Sequence, residues 1–318
     1  MVSYAGGSNL RVLVTGGSGF IGSHLVEALV KEKHDVTVVD DFSSGRLENI
    51  SHLLGTVKVA RTNVAEYLFP VNGNFDIVYH LAARPWAVTK DSKEEKELFN
   101  SNVDGTYNIL RQCSKDTLFV FTSSANLYGE GRKLKEDAPI KPSSFYGYTK
   151  AVAEDVITLG KVPYIIFRLG TVVGPRGRCF PNRLVWCIVN QVPVQLFNSG
   201  ETVRDIIDVR DVVKALIVAP KLNKEASTQR IFNLGRRCEI SGKELVSKAS
   251  FIAEQRGYKV LCEEVPWSPQ GFVKESTLKT TLSKYEVWKP MYTLDQTLRT
   301  LFDYYEKGGI EPPSWESL

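Results

Sequence analysis

Tyr146 and Lys150 stand four residues apart in Phe145-Tyr146-Gly147-Tyr148-Thr149-Lys150, a spacing that sets both side chains on one face of a helix. A phenol titrates near ~10 and is a poor base at neutral pH. A neighbouring ammonium and a positively charged cofactor ring would both favour phenolate, which could then take a proton from a substrate hydroxyl. Tyr-x-x-x-Lys is also a common accident of amphipathic helices, so the pair gains its weight from its surroundings. Upstream, the strand Phe119-Val120-Phe121 runs into Thr122-Ser123-Ser124-Ala125-Asn126. Open α/β sheets bind ligands outside the carboxyl ends of their strands, where Ser124 would meet the hydroxyl that Tyr146 deprotonates. Taken singly, a serine after a strand is more often a turn residue.

A second constellation suits a dinucleotide. Thr15-Gly16-Gly17-Ser18-Gly19-Phe20-Ile21-Gly22 separates a β-branched run, Leu10 to Thr15, from a segment with helical apolar spacing at Leu25, Leu29 and Val30. Gly16 and Gly17 allow the tight turn, Gly19 lets backbone N–H groups approach a pyrophosphate, and Gly22 permits close helix–strand packing. The helix N-terminus turns a partial positive charge to the same anion. Asp40 ends the next strand, Asp35 to Asp40, 18 positions beyond Gly22. A carboxylate at that offset accepts hydrogen bonds from the adenine-ribose hydroxyls and repels a 2′-phosphate, so NAD is expected over NADP. Arg46 is the residue that could rescue a phosphate, and Asp41, which competes with Asp40, reads more simply as a turn residue.

These groups need a scaffold. Further strands are expected at 57–60, 75–80, 118–122, 164–168 and 231–235, with helices around 92–115 and 146–160, and the alternation predicts a doubly wound parallel α/β sheet of Rossmann type. After Gly174-Pro175 the prolines multiply, which suits a smaller, discontinuous substrate-binding domain. We expect a dinucleotide-binding domain over 10–172 that reclaims about 204–236, and a substrate domain over 173–203 and 237–318. The chain has 318 residues, 43% of them hydrophobic and 24% charged, with a net charge of +4, which excludes a disordered chain and offers no charge block for nucleic acid. Five cysteines without a C-x-x-C pair and four histidines without ligand spacing argue for reduced thiols, a cytoplasmic setting and no bound metal. No apolar stretch approaches a membrane span, and residues 1–9 read as a loose polar leader.

The motifs Thr15-Gly16-x-x-Gly19-x-x-Gly22, Asp40, His80-Leu81-Ala82-Ala83, Asn102-Val103-x-Gly105-Thr106, Ser123-Ser124-Ala125-x-x-Tyr128-Gly129, Tyr146-x-x-x-Lys150, Arg168, Gly174-Pro175-Arg176 and Arg204-Asp205-Ile206-Ile207 follow one another in this order. In this the chain resembles the extended short-chain dehydrogenase/reductases, within them the NAD-dependent sugar-nucleotide epimerase/dehydratase family, and most of all its UDP-glucose (UDP-galactose) 4-epimerases. The resemblance implies NAD contacts from Gly16, Gly19, Phe20, Ile21, Gly22, Asp40, Asp41, Ser44, Gly45, Asn63, Val64, Leu81, Ala82, Ala83, Asn102, Thr122, Tyr146 and Lys150. It implies catalysis by Ser124, Tyr146 and Lys150 through a 4-keto sugar, a nucleotide-diphosphate sugar as substrate, and a homodimer built on the helices around 92–115 and 146–160.

Substrate contacts are expected from Arg84, Ser124, Tyr146, Thr171, Arg176, Arg178 and Arg204. Arg204 would take the diphosphate by bidentate contact. Arg84 would suit a sugar carboxylate, and Trp86 is as much a packing group as a sugar platform. Thr171 stands where relatives usually carry asparagine, and Asn63 where they often carry aspartate. Dehydratases carry Asp-Glu after the hydroxyl residue, and the decarboxylases that make UDP-xylose place glutamate at the second position. Ala125 and Asn126 occupy these positions here, and an amide cannot exchange protons in the needed range. Epimerisation is therefore preferred, with a reductase or dehydratase, a uronic acid 4-epimerase, and a silent NAD-binding protein as alternatives.

Overall fold

The structure, a computed structural model, describes residues 9–66, 74–85, 89–225, 229–266 and 273–313. Strand β1 (Arg11–Thr15) leads through the glycine turn into helix α1 (Phe20–Lys31), followed by β2 (Asp35–Asp40), β3 (Lys58–Arg61) and β4 (Ile77–His80). Helix α2 (Ser92–Phe99) continues through one π-turn, Asn100–Asp104, into α3 (Gly105–Leu110). Then come β5 (Leu118–Ser124), β6 (Gly131–Leu134), α4 (Phe145–Thr158), β7 (Tyr164–Leu169) and β8 (Thr171–Val173). The remainder comprises α5 (Phe180–Val189), β9 (Val194–Phe197), β10 (Val203–Asp208), α6 (Val209–Glu225), β11 (Ile231–Leu234), β12 (Glu239–Ser241), α7 (Gly242–Gln255), β13 (Cys262–Val265), β14 (Glu275–Leu278) and α8 (Leu294–Glu306).

The expected doubly wound sheet is present. Seven parallel strands lie in the order β11-β7-β5-β4-β1-β2-β3, which reverses direction at β1 and opens a crevice at the carboxyl ends of β1 and β4. Val12, Leu13 and Val14 are at most 4% exposed, as a strand covered on both faces requires. Val12 and Val14 pack with Leu25, Val26 and Leu29 of α1 and Val212 and Leu216 of α6, while Leu13 faces Ile109 of α3 and Ala153 and Ile157 of α4. Each such fully buried aliphatic side chain contributes roughly 1.5–3 kcal/mol. A second apolar cluster joins α5, α7 and α8 through Leu184, Ile188, Ile252, Leu298 and Phe302.

The second half meets the sheet differently from the expectation. Within 204–236, α6 packs on the large sheet and β11 closes its edge, but β10 pairs with β12, β14 and β8 in a smaller sheet. β6, inside the expected dinucleotide unit, also joins that smaller sheet through β14. Short strands such as Gly131–Leu134 carry too little pattern to show their partners. Among the described residues, no helix is long and apolar enough to cross a membrane.

Candidate active site

The glycine turn is built for close approach. Gly16 has φ +68°, and a Cβ there would stand 2.7 Å from the Ala82 nitrogen; one on Gly22 would run into the Gly16 carbonyl oxygen. Gly19 is the N-cap of α1, with no side-chain cap and no acidic residue in the first turn, so the leading N–H groups of the helix have no intrahelical partner. The Ser18 hydroxyl beside them is buried and has no hydrogen-bond partner among the described residues. A cleft with free amide donors, an orphaned hydroxyl and no Cβ fits a dinucleotide pyrophosphate. Phe20 and Ile21 are partly exposed at this helix start.

Asp40 is 6% exposed, and its carboxylate accepts from the Ser18 and Phe42 N–H groups, each at 2.9 Å. Burial pushes its pKa up, against the pull of those two bonds. Gly45 lies against the same carboxylate, where a Cβ would come within 2.9 Å of both oxygens. Asp41 accepts from the N–H and hydroxyl of Ser43, the turn role read from its sequence. Asn63 likewise turns its amide oxygen to the Ala65 N–H. Val64 is buried against Gly105, and Ser44 is exposed beside Arg178, whose guanidinium reaches the Ser44 carbonyl at 3.4 Å.

On the other side of the crevice, Tyr146 and Ser124 meet as expected. α4 is capped by the Ser144 hydroxyl on the Gly147 N–H at 3.1 Å, and Gly147 lets the helix come against the backbone of Asn126, since a Cβ there would lie 2.4 Å from the Asn126 oxygen. Tyr146 is half-buried, and Ser124 is the neighbour whose side chain favours its phenolate form. The same Ser124 oxygen accepts the Asn126 N–H at 3.2 Å.

One expectation is corrected here. Burial pushes the Tyr146 phenol up to about 12, with Ser124 pulling the other way. The ammonium of Lys150 is directed elsewhere: it donates to the Thr122 carbonyl at 2.8 Å and lies 4.4 Å from the centroid of the Phe121 ring. Lys150 is 2% exposed, and burial pushes its pKa down to about 7 while the Glu154 carboxylate pulls it back up.

Behind Lys150 stands a buried polar chain, of which the sequence reading named Tyr128 and Arg168 without a role and missed Glu154 and Asn233. Glu154 and Arg168, 3% and 4% exposed, pair at 2.6 Å, and Arg168 donates to the Tyr128 hydroxyl at 2.7 Å, which donates to Asn233 at 2.7 Å. The signal was in the spacing. Tyr146, Lys150 and Glu154 recur every four residues, so the carboxylate lies on the face of the two residues already singled out.

The remaining expected contacts divide. Asn102 spends its amide inside the protein, accepting the Arg84 N–H at 2.8 Å and donating to the Thr149 hydroxyl and the Arg84 carbonyl. Leu81, Ala82 and Ala83 line the end of β4, half-buried. The Arg84 guanidinium lies 3.9 Å from Glu97, and Trp86 lies outside the described residues. Arg176 departs from its expected role, with its guanidinium bonded to Ser23 at 3.0 Å and Glu27 at 2.6 Å on α1. Thr171 pairs with Ile206 in the smaller sheet. Arg204 donates to the Val203 and Val273 carbonyls at 2.9 and 2.8 Å, and burial pushes its pKa down to about 10. Among the described residues, no group of acidic, histidine or cysteine side chains has the arrangement of a metal site.

A parallel sheet with its glycine turn, acid-ended second strand and Ser-Tyr-Lys group defines a nucleotide-dependent α/β enzyme. The model of the NAD dependent epimerase/dehydratase family matches residues 12–235, and the chain belongs to that family, with NAD as its cofactor. The chain is similar to the uncharacterized UDP-glucose epimerase YtcB of Bacillus subtilis, at 30% identity over 82% of this chain and 88% of the relative. It is 28% identical to a UDP-N-acetyl-alpha-D-glucosaminuronate decarboxylase of Bacillus cytotoxicus, over 93% of this chain and 98% of that one. Among solved structures, the UDP-glucose 4-epimerase of Thermus thermophilus in complex with NAD superposes with a TM-score of 0.81 at 27% identity, covering 95% of this chain and 100% of the other.

Proposed function

We propose that this chain is an NAD-dependent 4-epimerase of a UDP-hexose, of the UDP-glucose/UDP-galactose type. The observation that carries the reading is Ser124 acting on the half-buried Tyr146 phenol, with Lys150 buried on the same helix face and no carboxylate at positions 125 or 126. Gly16, Gly19, Phe20, Ile21 and Gly22 would hold the NAD pyrophosphate, and Asp40 with the Ser44–Gly45 turn the adenosine. Bound NAD supplies reversible hydride acceptance, which a protein side chain cannot. Tyr146 takes the proton of the sugar C4 hydroxyl, and Ser124 orients that hydroxyl and favours the phenolate by donating to it. Because burial holds the phenol near 12 against the pull of Ser124, the further lowering it needs would come from positive charge brought by the bound cofactor. Turning the 4-keto sugar over before reduction inverts C4, and Tyr146 returns the proton.

Arg204 and Arg178 would face the substrate phosphates: both rest on backbone carbonyls, whereas Arg176 is paired with the Glu27 carboxylate on α1. An uncharged Asn126 leaves elimination of water without its acid. We expect a homodimer formed through α3 and α4, where Tyr107, Tyr148 and Leu159 are 54%, 48% and 84% exposed.

The test is incubation of the purified protein with UDP-galactose, without added dinucleotide, followed by NMR. Conversion to UDP-glucose supports the reading. Consumption of external NADPH marks a reductase, loss of carbon dioxide from a UDP-uronate a decarboxylase, interconversion of UDP-uronates alone a uronate epimerase, and no turnover a silent NAD-binding protein.

A further inference from the structure

Five fully buried polar side chains cross the molecule from the glycine turn to the Tyr146 helix. Thr15, His80, Thr106, Asn102 and Thr149 are each at most 1% exposed. The His80 ring contacts the Thr15 hydroxyl through Nδ1 at 2.7 Å and the Thr106 hydroxyl through Nε2 at 3.0 Å.

The direction of every bond follows from counting protons. Thr106 Oγ1 lies 2.6 Å from the Asn102 carbonyl oxygen, which carries no hydrogen, so the single Thr106 proton sits between them. Thr106 can then only accept from His80, and the ring must carry its proton on Nε2. A neutral ring so protonated has a bare Nδ1, which takes the Thr15 proton, while Thr15 in turn accepts the Ala82 N–H at 3.2 Å. Beyond Asn102, its amide donates to Thr149 at 3.0 Å, and Thr149 donates to the carbonyl of Tyr146 itself at 2.8 Å. No proton is left over and each hydroxyl proton has one place to go.

A second proton on the ring would break this order. It would set Nδ1–H against a Thr15 hydroxyl whose own proton has no other acceptor here. Both bases lie against Phe121: its ring stacks on His80 with centroids 5.7 Å apart, and the Lys150 ammonium is 4.4 Å from its centroid. Burial first, and then the charge of Lys150, the charged group acting on the ring, hold the imidazole down at about 3.

We propose that His80, fixed as the neutral Nε2–H tautomer, is a positioning residue: through Thr106 and Asn102 it registers the start of the Tyr146 helix and the Ala82–Arg84 cleft wall against the glycine-turn strand. The inference deepens the reading of Tyr146 as the base. A displacement of the reacting groups by a fraction of an ångström is felt in turnover and not in ground-state binding.

Two measurements test it. Nitrogen-15 NMR of the histidine rings in the NAD-loaded enzyme, with His80 assigned by loss of its signals in His80→Gln, reads the tautomer without any turnover. The expected result is a protonated Nε2 and bare Nδ1, unchanged between about pH 8 and about pH 5. An Nδ1–H tautomer, or titration in that range, overturns the proposal whatever the substrate proves to be. Thr106→Val, which keeps the shape and removes the hydroxyl, is expected to lower kcat about tenfold or more per NAD-loaded site with KM unchanged, and Thr106→Ser to restore most of it. Wild-type kcat in Thr106→Val also overturns it; should that variant not fold, the NMR result decides alone.

Discussion

Lys150 is held at a cost that a pH series exposes. Its ammonium leaves a state in which it titrates near the ordinary lysine value of 10.5 for one in which burial lowers it to about 7. Between those limits the unfolded chain binds a proton that the folded chain does not, so stability must rise with pH there, by about 1.4 kcal/mol per pH unit. Replacing Lys150 with Met removes the titration, retains much of the stem volume, and leaves the Thr122 carbonyl without its donor, a penalty of roughly 1–3 kcal/mol that does not vary with pH. Urea unfolding of NAD-free wild type and Lys150→Met, compared from about pH 8 to about pH 10, is therefore expected to show wild type gaining about 3 kcal/mol on the variant. All other groups are common to the two proteins and cancel. Parallel stability curves would refute the reasoning, and would mean that Glu154, buried and shared with Arg168, holds Lys150 charged at its ordinary value. The variant is expected to lose turnover at every pH, so stability and activity separate at this residue.

Gly147→Ala is favoured by helix propensity by up to about 1 kcal/mol but meets the Asn126 carbonyl at 2.4 Å; thermal melts are expected to show a net loss of stability, and turnover a larger one. Arg168→Met leaves Glu154 facing Lys150 alone; chemical denaturation is expected to show a loss of about 3–5 kcal/mol. Arg204→Gln is expected to raise KM for the sugar nucleotide at least tenfold, with NAD content unchanged by absorbance. Leu159→Lys is expected to move the protein from dimer to monomer in sedimentation velocity, and an unmoved dimer would exclude the α3–α4 face.

The sheet was legible because parallel strands buried on both faces read as continuous apolar runs, as in Val12–Val14 and Leu118–Phe121. The glycine turn was legible because its fit to a close-approaching chain depends on residue type and short spacing, and the spacing of Tyr146 and Lys150 placed both on α4 without showing that the ammonium turns to the Thr122 carbonyl. What the sequence could not show was direction. Arg176, Arg178 and Arg204 carry the same charge, yet one is spent on Glu27, one reaches the Ser44 carbonyl and one is held by strand carbonyls. Likewise β10 has only Val203, Ile206 and Ile207 as apolar residues, a pattern that suits either sheet, and its partners come from residues 30 or more positions away. His80 stood inside a recognised motif, but its two hydroxyl partners lie 65 and 26 residues distant, beyond any local pattern.

The central claim, that Tyr146 deprotonates C4–OH while the same C4 hydrogen is carried away and returned, is tested most directly with UDP-galactose bearing deuterium at C4. The account predicts UDP-glucose that retains the deuterium at C4 when the reaction runs in ordinary water, and a fall of at least ~10² in this turnover for Tyr146→Phe with NAD still bound. Loss of the label to solvent, or wild-type turnover in Tyr146→Phe, would contradict it.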